Sequence, residues 1–157
     1  MYGDEKLTIL HLGSGGGGGE VRGGQYGNSW TYCSGGAGGG GFSLLCKSLI
    51  MLGKGGISSN GICGNNKHCS GSGSGGSIYI TVKHQIKMDK ESFIIAKGGP
   101  PCQVFNAEVS GCKWNCVVDP SSISRGGNGR IRIDIGSDQA SKIVNYNIKP
   151  KPYIVTK

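Results

Sequence analysis

Large side chains are scarce in this sequence. Apolar residues supply 36% and aromatics 7% of its 157 positions, too few for an interior built mainly on bulky groups. Acids are scarcer, nine against 17 Lys and Arg, and only Asp4/Glu5, Asp89/Glu91 and Asp134/Asp138 fall near one another. This argues against an enzyme that needs clustered carboxylates for acid-base hydrolysis or for calcium. No stretch approaches the ~20 apolar residues of a membrane helix, and "MYGDEKLTILHLGSGG" lacks a basic region followed by an apolar run of secretory length. There is no Asn-x-Ser/Thr acceptor for glycosylation, which weighs mildly against an extracellular protein. Only five prolines are present and glycine does not fall at every third residue, so a collagen triple helix is excluded.

Glycine is abundant instead. Its 32 residues are roughly three times the usual share. Runs such as "GSGGGGGE" and "SGGAGGGGF" have the composition of flexible linkers. Their neighbours in the chain do not behave as linker ends: "GGGGFSLLCKSL", "GSGGSIYITV" and "GGNGRIRIDI" each set glycine directly before alternating apolar residues, and a linker needs no such register. At an offset of 36, Phe42, Leu44, Cys46, Ile50 and Leu52 fall on Ile78, Ile80, Val82, Ile86 and Met88. With one more residue, Ile57 falls on Ile94 and Ser59 on Ala96, so each unit reads as glycine, strand, turn, short strand and glycine again. "GRIRIDIG" starts a third unit and "KLTILHLGSGGGGG" ends an earlier one. Helix signals are poor, with no apolar period of 3.6 sustained over ten residues.

Alternation puts Ile78, Ile80 and Val82 on one face, with Ser77, Tyr79, Thr81 and Lys83 on the other. Ile131, Ile133 and Ile135 likewise oppose Arg130, Arg132 and Asp134, which predicts a wet face and a surface ion pair on that strand. The pattern points to an all-β fold, a glycine-rich β-solenoid or β-helix in which glycine forms the corners where backbones approach closely. A second geometry fits the longest runs: polyglycine-II segments with three residues per turn, packed side by side. Residues 1–141 form the predicted solenoid-like domain. Residues 142–157, "KIVNYNIKPKPYIVTK" with its prolines, form a basic extended strand or arm.

Net charge is +8, half of it on Lys142, Lys149, Lys151 and Lys157, and no acid follows Asp138. A soluble, solvated surface accounts for this more simply than specific nucleic-acid binding. Seven cysteines, Cys33, Cys46, Cys63, Cys69, Cys102, Cys112 and Cys116, lie mostly in predicted loops. They are disulfide candidates for an oxidising compartment, with one thiol left over. "CGNNKHC" and "CKWNC" offer metal ligands, including His68, but lack the paired spacing of zinc sites, so no metal and no cofactor are expected. His11 and His84 fall in strand-like segments without a nucleophile signature. "GSGGGGGE" and "GKGGIS" lack the Lys-Ser/Thr and helix of a phosphate cradle.

On "GGGGFSLLCKSLIMLGKGGISSNG", "GSGGSIYITVKHQIKMDKESFIIAKGG" and "GGNGRIRIDI", about two thirds of the chain, the sequence resembles glycine-rich repeats of surface and adhesin-like proteins grouped with pectin-lyase-like right-handed β-helices. "LTILHLGSGGGGG" and "GGAGGGG" are similar to the glycine-rich domains of anaplastic lymphoma kinase-type receptors and of phage adhesins with polyglycine helices. Both resemblances imply extracellular recognition or structure and carry no catalytic motif. The expectation is a non-enzymatic extracellular or cell-surface structural protein, with a cytoplasmic location as the alternative. It self-assembles into a filament, coat or array as a homo-oligomer, through Ile143, Tyr146, Ile148, Tyr153 and Val155 of the arm. A glycan-binding adhesin or lectin-like module using Trp30, Tyr32 and Trp114 is the competing expectation.

Overall fold

A computed structural model describes residues 6–23, 29–64, 71–100, 125–143 and 146–156. The alternating stretches are strands, and helix is almost absent. Strands β1 (Gly19–Gly23) and β2 (Ser29–Cys33) pair antiparallel. After them come β3 (Gly41–Met51), β4 (Gly56–Ser58), β5 (Ser77–Met88), β6 (Phe93–Ile95) and β7 (Arg130–Ile135). The helix α1 (Ser137–Ile143) and strands β8 (Ile148–Lys149) and β9 (Tyr153–Thr156) complete the order. From β3 onward successive strands alternate between two sheets, β3-β5-β7-β9 and β4-β6-β8, in which every pair is parallel.

The core lies between these sheets. Ile78, Ile80, Val82, Ile86 and Met88 of β5 and Ile131, Ile133 and Ile135 of β7 meet Ile94 and Ala96 from the β6 side, Ile148 of β8 and Ile143 of α1. Small corners let it close: Gly53 turns from β3 toward β4 at φ 56°, a conformation that costs glycine little. Its amide donates to the Asp89 carboxylate at 2.7 Å. Asp89, one of the few acids with an acidic neighbour, therefore holds a turn.

Register follows the sequence repeat through Cys46, which pairs with Val82. Ile57 pairs with Ile94 as the offset predicts. Between them the extra residue falls earlier than expected. A bulge between Cys46 and Ser48 sets Leu49 opposite Ile86 and Met51 opposite Met88, in place of Ile50 and Leu52. An unpaired residue in one strand shifts the partner's inward positions by one. Met51 is accordingly buried, whereas Ile50 is 56% and Leu52 66% exposed.

The glycine runs are ordered against one another. Six segments, residues 13–17, 35–39, 59–62, 71–76, 96–99 and 126–129, lie side by side and exchange backbone hydrogen bonds that in most pairings recur every third residue. Residues 71–76 lie in the middle. Gly71 and Ser74 donate to Gly17 and Ser14, and accept from Gly36 and Gly39. Gly73 and Gly76 donate to Ile62 and Ser59, Gly73 also accepts from Gly99, and Gly75 donates to Gly127. Among the described residues the central segment thus has neighbours from all five other segments.

The helix departs from expectation, and at the C-terminus the strand alternative holds in place of the arm. Seven residues are too few for a 3.6-residue period to show in sequence; Asp138 in the first turn complements the helix N-terminus. The predicted arm is not free: β8 adds to β6 and β9 to β7, so these two strands complete the two sheets. Ile143 and Ile148, expected to contact another copy, are instead 1% and 9% exposed in this chain's own core.

Candidate functional site

The β7 face carrying Arg132 and Asp134 is not the wet surface that alternation predicts, for Asp134 is 1% exposed. The N-terminal segment covers it. Leu7, buried, adopts φ 53°, a left-handed conformation that costs a non-glycine residue energy and needs surrounding contacts to hold it. The Lys6 carbonyl accepts from Arg132 Nη1 at 2.8 Å, and the His11 amide donates to Ser77 Oγ at 3.2 Å. Beneath, Arg132 grips Asp134 with two bonds, Nε to Oδ1 at 2.6 Å and Nη2 to Oδ2 at 3.0 Å. The Tyr79 hydroxyl donates to Oδ2 at 2.9 Å, and the guanidinium stacks 4.9 Å from the Tyr79 ring centre. The hydrogen bond to Asp134 is the main cause that raises the Arg132 pKa. The cluster is an internal clamp, not the expected surface pair.

Beside it runs a groove of about 450 Å³, walled by His11, Leu12 and Ser14 on one side and Gly127, Asn128, Gly129 and Arg130 on the other, with residues 74–77 as its floor. The floor is backbone and serine. No aromatic ring lines it, so a sugar has nothing to stack on there.

A third feature is an edge. Among the described residues β3 is an outer strand of its sheet and pairs only with β5, so eleven residues present one unpaired side. Leu45 is 68% and Ile50 56% exposed on this strand. Long apolar edges of this kind are templates for another strand.

The remaining expected residues are dispersed. Tyr146 donates its hydroxyl to the Ile86 carbonyl at 3.2 Å and packs against the core. Tyr153 and Val155 belong to β9, where both are partly exposed. Trp30 and Tyr32 are two apart in β2, at register positions opposite Arg22 and Glu20. Trp114, His68, Cys69, Cys102, Cys112 and Cys116 lie outside the described residues, and Cys33 is the last residue of β2. Cys46 is a free thiol, half-buried against the core, while Cys63 follows the glycine segment ending at Ile62. No group of three His, Cys, Asp or Glu able to hold a metal occurs among the described residues, and no described helix is long and apolar enough to cross a membrane.

Burial pushes the Cys46 thiol above its ordinary pKa. The thiolate is the reactive form, so iodoacetamide should modify Cys46 in folded protein more slowly than a small thiol such as glutathione at about pH 8. Its rate should rise as pH increases. Mass spectrometry of timed aliquots checks this, and an equal rate would place the thiol in water.

Neither the β3 edge nor the groove is marked by a sequence motif. The repeat identifies β3 but not its place at the margin, and the groove joins residues from three distant glycine segments. No family model, curated protein or solved structure matches the chain.

Proposed function

We propose that this chain is a non-enzymatic structural protein of the cell surface or extracellular space that self-assembles. On this reading its parallel strands are successive coils of a short β-solenoid, and its glycine segments form a polyglycine-II bundle along one side. The recurrence of lateral hydrogen bonds at every third residue supports the bundle. The strand order, which follows chain order in both sheets, supports the solenoid. Disulfides among the cysteines other than Cys46 would suit an oxidising compartment.

The observation that carries assembly is the unpaired edge of β3 with Leu45 and Ile50 exposed. A neighbour's strand laid along it would satisfy its backbone groups and cover that apolar surface. The interface therefore moves from the C-terminal arm to β3. Deleting residues 142–157 would remove core residues as well as any contact, and so does not test it.

The test is light scattering after size exclusion, comparing the native protein with Leu45→Lys/Ile50→Lys. Charge on an edge is a natural block to strand addition. The native chain should run as multimers and the variant as a monomer with an unchanged circular dichroism spectrum. A native protein that stays monomeric at all concentrations, or a variant that assembles as well, would sink this reading. Both substitutions replace exposed side chains, so stability should change by no more than about 0.5 kcal/mol.

A further inference from the structure

The central glycine segment has six lateral directions, of which five are taken by described residues. A chain with three residues per turn repeats its directions every third residue. One N–H and one C=O from each of the three residue classes then give six. Around residues 71–76 these alternate in sign. The amides of Gly71 and Ser74 point to residues 13–17 and their carbonyls to 35–39. The amides of Gly73 and Gly76 point to 59–62 and the Gly73 carbonyl to 96–99, while the Gly75 amide points to 126–129. The remaining direction belongs to the Gly75 carbonyl. It accepts no hydrogen bond among the described residues, and the groove of about 450 Å³ opens there, between the first segment and the last.

We propose that this groove is the docking site for an extended glycine-rich segment of another polypeptide, which takes the sixth position around residues 71–76. The floor selects the occupant. To reach the Gly75 carbonyl a guest must bring an amide, and to continue along the segment it must do so with a three-residue repeat. A β-strand, with period two, cannot stay in step.

Side chains facing the floor are excluded by the spacing the bundle already adopts. In the two segments that flank the groove, a Cβ on Gly13 would lie 2.4 Å from the Ser74 carbonyl oxygen, and one on Gly129 would lie 1.9 Å from that of Gly76. A guest at the same separation needs glycine on its inner face and is free in composition only where it faces solvent. The six described glycine segments of this chain already hold neighbours, so none of them supplies the guest. The site uses neither Leu45 nor Ile50, so its test is independent of assembly through β3.

A terminally blocked peptide, Gly-Gly-Asn-Gly-Gly-Asn-Gly-Gly, is titrated into isotope-labelled protein and followed by amide chemical shifts. Saturable shifts are expected at Gly75, Gly127 and Arg130. A control peptide with alanine replacing each glycine should bind at least tenfold more weakly. Gly127 lines the groove, and a Cβ there meets nothing within 4 Å, so Gly127→Leu should fold with an unchanged melting temperature and occupy the groove with its own side chain. Binding should fall at least tenfold. No saturable shift up to the peptide's solubility limit would overturn the proposal. So would equal binding of the alanine peptide, or undiminished binding to a folded Gly127→Leu.

Discussion

Gly76→Ala should lower the melting temperature by about 10 °C or more, whereas Gly127→Ala should leave it unchanged or raise it. A Cβ at Gly76 would lie 1.9 Å from the Gly40 carbonyl oxygen and 2.6 Å from the Gly39 carbonyl carbon. Both are backbone atoms of a neighbouring segment, so no rotamer change relieves the clash and the segments must separate. Overpacking in an ordinary core costs about 1–3 kcal/mol. Parting a layer joined by backbone hydrogen bonds should reach about 3 kcal/mol or exceed it, because the amides and carbonyls it parts are buried. At Gly127 the added methyl meets open space, and restricting the unfolded chain stabilises by about 0.4–1 kcal/mol. Thermal unfolding of the two variants side by side separates a packed bundle from loosely associated glycine runs. Equal, small effects would show that the runs carry no close packing.

The second large effect is expected at the clamp, and it should be asymmetric. Arg132→Ala leaves the Asp134 carboxylate, fully buried, without its two-bonded cation. Removing one member of a buried pair in this way typically costs about 3–5 kcal/mol. Asp134→Ala strands the guanidinium instead, but the Arg132 side chain is 15% exposed against 0% for Asp134. Water can reach it, and the cost should fall to about 1–3 kcal/mol. Denaturant midpoints of the two variants, read at constant slope, check the order. A reversed order would mean that Asp134 is better solvated than its burial indicates. Arg132→Ala should also loosen the N-terminal segment, since Arg132 Nη1 holds the Lys6 carbonyl.

Much of the fold is legible in the sequence because strands write their inward faces at period two. Ile78, Ile80 and Val82 announce themselves, and the offset that matches them to Phe42, Leu44 and Cys46 is the register found. Legibility ends where parity is broken. At the bulge, β5 carries Lys83, His84 and Gln85 exposed in succession, and nothing in their chemistry says which strand holds the extra residue. Ile50 and Leu49 are equally apolar, so the inward choice between them is settled only by the partner strand.

The Arg-Ile-Arg-Ile-Asp alternation raises a different difficulty. It reports that one side is polar, and polar is ordinarily wet; here a remote segment lies over that side and satisfies the charges internally. The C-terminal strands mislead for a related reason, as charge and proline advertise an edge, and β9 is an edge, but of this chain's own sheet. The groove is invisible in sequence because each of its walls is a glycine run like any other. Only the order in which the runs pack leaves a gap.

The position of residues 71–76 also sets the time at which the protein can become itself. Its hydrogen-bond partners range from Ser14 to Arg130, so the hub is synthesised after three of its neighbouring segments and before the other two. Glycine runs have no local structure with which to wait, and the pairings that order them close loops of many residues. On the ribosome the first half of the bundle therefore emerges before the segments that complete it. Folding should be slow for a chain of this size and should commit only after Gly129 has left the exit tunnel.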